Sequence, residues 1–299
     1  MIRKVALVLS SGGARGMAHI GVIEELDKLG FEISAVSGSS MGAVVGGIYA
    51  TGKLNEFTEW AKNLHRLDVY NLMDFSVAGN GFIKGNKVFS EIQKFVPDQL
   101  IEELRIPFTA IAGDAKNHKE IVFNKGSLYK AFRATVAIPG IIVPSYADGV
   151  DLVDGGVVNP LPINHVKRSK GDLLVAVDLN SSTHYHKPKF DQETQKKNEQ
   201  QYDLLLKKVR ERLGIVRNDK DLKSKRLGYY EVLNASLNMM QERLSELILE
   251  KHVPDILVKI PKTACKTFEF YKANEMIEAG RYEFLKSYEN WKTNISVKT

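Results

Sequence analysis

Cysteine is almost absent from this sequence of 299 residues. Cys265 is the single cysteine, so the chain can form no intrachain disulfide and no zinc or iron-sulfur site built from cysteines. A chain of this length buries about three quarters of the surface that it exposes when unfolded, so it needs no covalent crosslink for stability. Because such cysteine usage is typical of a reducing compartment, we expect a cytoplasmic protein.

Long apolar runs are missing from the start of the sequence. The longest uninterrupted apolar stretch there runs from Val5 to Leu9, directly behind Arg3 and Lys4. It is far too short for the core of a signal peptide or for a membrane span. The sequence therefore predicts a soluble protein.

Excess positive charge is confined to one segment. The net charge is +6, and residues 187–226 carry 13 Lys and Arg against 7 Asp and Glu; removing them from the totals of 42 and 36 leaves 29 of each sign. A neutral body argues against a nucleic-acid partner. The basic segment has two interpretations: it is an insertion that packs as a helical flap or dimer contact, or it makes a peripheral contact with an anionic membrane at its cytoplasmic face.

The apolar patterning predicts an α/β fold. Two units of strand, glycine-rich turn and helix fill the first 52 residues, with strands at 4–9 and 33–36 and helices at 18–29 and 41–50. The pattern continues with strands at 108–112, 120–123, 150–153, 173–179 and 256–260, and with helices at 128–137, at 227–250 and from 274 onward. Such alternation indicates a mostly parallel sheet sandwiched between helices in three layers. We expect one domain over 1–299 with a helical basic insertion at 182–250.

Ser40 is the candidate nucleophile. It lies in Gly38-Ser39-Ser40-Met41-Gly42, which has the form G-x-S-x-G at a predicted strand-to-helix junction. A serine on such a sharp turn is held in a strained backbone geometry that exposes its hydroxyl, and the glycines Gly38 and Gly42 avoid side-chain collisions. The alternative interpretation is a turn whose glycines serve only close packing.

A second glycine-rich loop, Ser11 to Gly16, follows the first strand. Its consecutive amides can converge on an anion, either the oxyanion of acyl transfer or a nucleotide phosphate. The loop lacks the spacings G-x-x-x-x-G-K-[ST] and G-x-G-x-x-G, so the nucleotide hypothesis loses support. Arg15 within the loop has two candidate roles, as an anchor for an anionic head group or as a structural residue.

A serine nucleophile needs a base, and the sequence offers two kinds. Asp154 comes directly after an apolar run, in Val153-Asp154-Gly155-Gly156, where active-site groups of open α/β sheets gather. An ordinary triad would also need a histidine. The candidates for that histidine are His165, His184, His186 and His252.

Four motifs together resemble those of the patatin-like phospholipases, especially the stand-alone bacterial members and the neuropathy-target-esterase domain. They are Gly12 to Gly16, Gly38 to Gly42, the segment Arg133-Ala-Thr-Val-Ala-Ile-Pro-Gly140, and Asp154-Gly-Gly156 with Asn159-Pro-Leu-Pro162. Their order, spacing and strand positions agree over about residues 4–180, and a looser likeness continues to the last helix. Ser11 departs from the family pattern, which frequently has a third glycine there.

This resemblance implies a serine acyl hydrolase. It assigns Ser40 as the nucleophile and Asp154 as the base of a Ser-Asp dyad that needs no histidine. It places the oxyanion hole at Gly12 and Gly13 with their neighbours Ala14, Arg15 and Gly16, and it implies no metal and no cofactor. The substrates of such families are phospholipids, lysophospholipids or related lipid esters.

Other hypotheses from the sequence stay open at this point. One is a regulatory protein that keeps the fold and binds lipid or phosphate without turnover. Another is a phosphate-binding α/β protein that uses the loop from Gly12 to Gly16. A third is a hydrolase with an ordinary triad.

Overall fold

The computed structural model of the protein is built on one twisted sheet. It describes residues 3–74, 83–147, 149–185 and 228–296. The strand order is β5-β6-β3-β2-β1-β7-β8, and β4 also pairs with β3. The strands are β1 Arg3–Leu9, β2 Phe31–Ser39, β3 Phe108–Asp114, β4 Lys119–Phe123, β5 Ser145–Ala147, β6 Val150–Asp154, β7 Leu173–Ser181 and β8 Ile256–Pro261.

Helices lie between several of these strands and pack on the sheet. Over the described ranges they are α1 Ala18–Lys28, α2 Met41–Thr51, α3 Leu54–Lys62, α4 Arg66–Leu72, α5 Asn86–Gln93, α6 Leu128–Thr135, α7 Tyr229–Lys251 and α8 Ala273–Ser296. A 3-10 turn, Gly13–Met17, precedes α1. The α/β fold with a mostly parallel sheet between helices is thus confirmed, and the predicted helix at 128–137 ends two residues early.

Strand β1 shows why the sequence of a central strand is a continuous apolar run. Its side chains alternate between two apolar clusters, with Val5, Leu7 and Leu9 on one face and Ala6 and Val8 on the other. The first face packs against helices that include α1, α2 and α8, and the second against Leu161, Ile163 and residues near the end of α7. A strand buried on both faces gains nothing from polar alternation.

The parallel and antiparallel parts of the sheet meet at β3. Strands β1, β2, β3, β7 and β8 pair in parallel, whereas β4 and β6 run antiparallel to β3. Ser39, at the end of β2, lies opposite Ile111, and Asp154, at the end of β6, lies opposite the next residue, Ala112. Strand β4 occupies the other edge of β3. Strands β2 and β6 therefore run towards each other along one edge, and their carboxyl ends meet.

The chain divides into two compact units, Met1–Pro188 with Met240–Thr299, and Lys189–Met239. Most of the second unit, and with it the basic segment 187–226, lies outside the described residues. The predicted insertion at 182–250 and its contact with an anionic membrane stay predictions. None of the helices in the described ranges has the length and apolar character needed to cross a membrane.

Candidate active site

Ser40 lies at a strained turn between β2 and α2. Its backbone has φ 53° and ψ −126°, which places a residue with a side chain in a left-handed region. Such a conformation costs on the order of 1–3 kcal/mol and persists only where the surroundings fix it. The sequence motif predicted this turn, and the structure identifies the contacts that hold it.

Two glycines leave room for the backbone around Ser40. A Cβ on Gly38 would lie 2.5 Å from the amide nitrogen of Ala43, and one on Gly42 would lie 2.2 Å from the carbonyl oxygen of Leu9. In both cases the obstacle is main chain, which cannot rotate away as a side chain does. Gly38 and Gly42 are therefore required by the close approach of α2 to β1 and β2.

Thr135 fixes the turn from the other side. The Ser40 amide donates to Thr135 Oγ1 at 2.8 Å, and the Thr135 hydroxyl donates in turn to the Ile111 carbonyl on β3. Thr135 is fully buried. Its role was not predicted from the sequence, although it belongs to the motif of residues 133–140, because the bond joins residues 95 positions apart.

The side chains of Ser40 and Asp154 form a direct hydrogen bond. Ser40 Oγ donates to Asp154 Oδ2 at 2.5 Å, and the Gly156 amide donates to Asp154 Oδ1 at 2.7 Å. The Asp154 amide donates to the carbonyl of Ala137, which ties this end of β6 to the motif after α6. Because each carboxylate oxygen has its own donor, Oδ2 is held towards Ser40.

Burial sets the acidity of this carboxyl group. Ser40 is 5% exposed and Asp154 is 3% exposed. Desolvation raises the pKa of Asp154 from 3.8 to about 7, although the bonds from Ser40 and Gly156 act in the opposite direction. A base whose pKa lies near neutral pH both takes up and releases protons efficiently there.

The amides of the glycine-rich loop differ in whether they are already bonded. The amides of Ala14 and Arg15 donate to the carbonyls of Thr267 and Gly12. Those of Gly12 and Gly13 have no acceptor among the described residues. Gly13 has φ +56° and lines the same cavity as Ser40. Among these four amides, those of Gly12 and Gly13 are thus the ones without an acceptor in the described part of the chain.

Gly16 and Arg15 serve the packing of this loop. A Cβ on Gly16 would lie 2.3 Å from Met41 Cγ, so the loop packs directly on the elbow. The Arg15 side chain is 3% exposed and donates to the carbonyls of Leu179, Lys262 and Cys265 at 3.1–3.3 Å. The structural role of Arg15 is therefore the one that its contacts support.

The proline-containing part of the fourth motif connects the segment after Asp154 to the central strands. The carbonyl of Pro160 accepts from the Ser11 amide at 2.9 Å, and that of Pro162 accepts from Ser37 Oγ at 2.8 Å. The side-chain amide of Asn159 donates to Glu120 Oε1 and to Asn164 Oδ1. The segment after Asp154 is thereby joined to the ends of β1 and β2.

Two of the four candidate histidines have surroundings that the structure describes, and neither contacts Ser40 there. His165 Nε2 lies 3.0 Å from Glu120 Oε1, and His252 is exposed after the end of α7. Within the described residues, Asp154 is the side chain bonded to Ser40 Oγ. His186 lies outside the described residues.

An apolar cavity of about 140 Å³ opens onto Ser40. Its walls come from α2, α3, α4, α5 and the segments after α6 and β8, and its lining in the described ranges includes no charged side chain. Aromatic and aliphatic side chains dominate it, among them Phe57, Trp60, Leu64, Leu72, Phe89 and Ile142. A cavity of this chemistry accepts a hydrocarbon chain and excludes a charged group.

Replacing Thr135 by Val tests how the turn is held. Valine has nearly the same shape but no hydroxyl, so the buried amide of Ser40 and carbonyl of Ile111 lose their shared partner. We expect a loss of about 1–3 kcal/mol in the free energy of unfolding and a lower rate of reaction at Ser40. Denaturant unfolding and labelling of Ser40 by a fluorophosphonate measure the two effects. Thr135→Ser keeps the hydroxyl and is the matched control; equal behaviour of the Val and Ser variants would contradict the role given to this bond.

Comparison with known proteins places these features in a family. A protein-family model described as "Patatin-like phospholipase" matches residues 7–167. The chain is 34% identical, over an alignment of 321 positions, to an uncharacterized NTE family protein of Mycobacterium tuberculosis, covering 93% of this chain and 89% of that protein. It is 30% identical over 184 positions to the patatin-like phospholipase domain-containing protein 6 of Mus musculus, covering 59% of this chain and 14% of the mouse protein.

A solved structure is also similar. VipD from Legionella pneumophila matches with a TM-score of 0.47 and 14% identity, over 97% of this chain and 67% of that one. The family match and the mycobacterial relative span most of the described sheet and all four motifs. The chain therefore belongs to the patatin-like phospholipase family, a family of lipid ester hydrolases.

Proposed function

We propose that this protein is a serine acyl hydrolase that cleaves ester-linked fatty acyl chains of phospholipids, lysophospholipids or related lipid esters through a Ser-Asp dyad. The observation that carries the proposal is the 2.5 Å bond from Ser40 Oγ to Asp154 Oδ2 on the wall of an apolar cavity. The apolar lining of the cavity matches the apolar surface of an acyl chain. The hydrogen bond to a carboxylate is the arrangement that activates a serine hydroxyl as a nucleophile.

The first half of the reaction forms an acyl-enzyme. Ser40 Oγ attacks the ester carbonyl carbon while its proton passes to Asp154 Oδ2. The carbonyl oxygen gains negative charge, and the amides of Gly12 and Gly13 are the donors that stabilise it. When the carbon-oxygen bond to the alcohol breaks, Asp154 returns the proton to the departing alkoxide. The alcohol leaves, and the acyl group stays on Ser40.

The second half releases the fatty acid. Water attacks the acyl carbon and gives one proton to Asp154, and the bond from that carbon to Ser40 Oγ then breaks. Asp154 protonates Ser40 Oγ, which restores the starting pair. The Gly156 amide stays bonded to Asp154 Oδ1 throughout, so the same oxygen, Oδ2, serves both halves.

A fluorophosphonate probe tests this proposal. Attack by Ser40 Oγ on phosphorus expels fluoride and leaves one covalent adduct, which intact mass and peptide mapping locate. Hydrolysis of short-chain nitrophenyl esters is followed on the same samples, with Ser40→Ala as the control variant. We expect one adduct on Ser40 and ester hydrolysis, both lost in Ser40→Ala. An unlabelled protein without hydrolysis would favour a lipid- or phosphate-binding protein that lacks turnover.

A further inference from the structure

The cavity at Ser40 is separated from the protein surface by a wall one side chain thick. Trp60, Leu64 and Leu72 line the cavity, and the same three residues line a depression on the outer side of α3 and α4. We call these three side chains the end wall. Their two opposite faces thus border an apolar interior and the solvent.

The two sides of the end wall differ in chemistry. The cavity side is apolar, whereas the depression is bordered by Glu59, Asp68 and Glu91 together with two asparagines. A hydrocarbon chain is stabilised by burial on the inner side and gains little from the charged outer side. A chain that reaches these three side chains from the inside therefore gains no further apolar burial beyond them.

Two of the three side chains of the end wall are tightly packed. The Trp60 ring lies between the rings of Phe57 and Phe95, with centroid distances of 5.7 and 6.0 Å. Leu64 is 8% exposed, between the end of α3 and the start of α4. Displacing Trp60 and Leu64 for an entering chain is therefore costly, since protein interiors are close-packed.

We propose that the end wall sets the length of acyl chain that this enzyme accepts. The proposal rests on the proposed function, because it takes the acyl group to be attached at Ser40 while its hydrocarbon part occupies the cavity. Each methylene buried before the wall raises kcat/KM by about fourfold. A chain that reaches the wall gains nothing from further methylenes and is excluded once it is longer.

Wall variants assayed with saturated nitrophenyl esters of increasing chain length test this inference. In Leu64→Ala and Leu72→Ala the cavity opens into the depression, so we expect kcat/KM to keep rising beyond the chain length at which the wild type falls. Ile92→Ala is the matched control. Ile92 is 3% exposed and lines the cavity but not the depression, so its truncation enlarges the cavity without opening the wall. We expect that variant to keep the chain-length limit of the wild type.

A binding measurement separates this inference from the proposed function. Saturated fatty acids of increasing length are titrated into Ser40→Ala, with and without each wall substitution, and thermal stabilisation is recorded. If the wild type hydrolyses esters and both wall variants keep the chain-length limit of the wild type, the proposal for the end wall is wrong while the proposed function stands. A wild type that hydrolyses no ester would overturn the proposed function, and the fatty acid series would then decide on the wall. Should Leu64→Ala fail to fold, the half-buried Leu72 carries the test.

Discussion

In the Asp154→Asn variant, kcat for ester hydrolysis is expected to fall roughly 10²- to 10⁴-fold. Asparagine fits the site because its Oδ1 accepts from the Gly156 amide as the carboxylate does, while its amide nitrogen donates to Ser40 Oγ. The geometry is kept, but a neutral amide does not accept the proton that Ser40 must lose. Steady-state hydrolysis of a short-chain nitrophenyl ester, compared with the wild type at equal protein concentration, measures the loss.

The same variant should also differ from the wild type in how its stability depends on pH. Burial raises the pKa of Asp154 to about 7 in the folded protein, against 3.8 for the free side chain. The folded state thus favours the protonated carboxyl group. Its contribution to stability is fully present below about pH 4 and is lost as the pH rises through about 7. Asparagine does not titrate, so the unfolding temperature of Asp154→Asn relative to the wild type should increase over that range.

The activity of the wild type should rise with pH over the range in which its stability falls. Ionised Asp154 is the form that accepts the proton, so kcat/KM should rise with pH and level off above about 7. Near-normal turnover by Asp154→Asn, or a wild-type profile flat from about pH 5 to about pH 8, would exclude Asp154 as the base. Circular dichroism of the variant establishes that any loss of turnover is not a loss of fold.

The parallel centre of the fold could be predicted because its signals are local. A continuous apolar run followed by small residues, as in Val5 to Gly13, specifies a doubly buried strand and a tight turn with no information from elsewhere in the chain. The elbow at Ser40 is equally local. The sequence predicted the glycine-rich loop and the elbow at the ends of strands, and in the structure they follow β1 and β2.

The contacts that complete the site could not be predicted because they are long-range. Thr135 bonds to Ser40 across 95 residues, and Asp154 reaches Ser40 because β6 runs antiparallel to β3 rather than parallel to it. No residue pattern in a single sequence states which strand lies beside which. The helices α3 to α5, which supply much of the cavity, lie between Gly52 and Phe108, where our sequence analysis predicted no element.

Replacing Gly42 by Ala is expected to affect stability and activity together. The added Cβ would lie 2.2 Å from the Leu9 carbonyl oxygen and 2.6 Å from that of Ser10, so α2 must move away from the end of β1. Overpacking of this kind costs about 1–3 kcal/mol, and more where main chain is the obstacle. For a protein of this size, each kcal/mol lowers the unfolding temperature by about 2–4 °C.

The activity loss should exceed what the lost stability explains. Movement of α2 shifts Ser40 at one end of the helix, and movement of β1 shifts the loop that carries the Gly12 and Gly13 amides. The nucleophile Ser40 and the proposed oxyanion donors are thus both displaced. A misplacement of about 1 Å can reduce a rate about 10²-fold. Thermal unfolding and fluorophosphonate labelling of the folded fraction measure the two effects separately.

Gly46→Ala, one helical turn further along α2, is the matched control for this prediction. Its Cβ would meet side chains, Val36 Cγ1 at 2.6 Å and Leu9 Cδ1 at 3.2 Å, rather than main chain. The control should therefore lose stability while its folded fraction labels at the wild-type rate, because the first turn of α2 is not displaced. Equal losses of labelling rate in Gly42→Ala and Gly46→Ala would contradict the prediction that the main-chain approach at Gly42 positions Ser40.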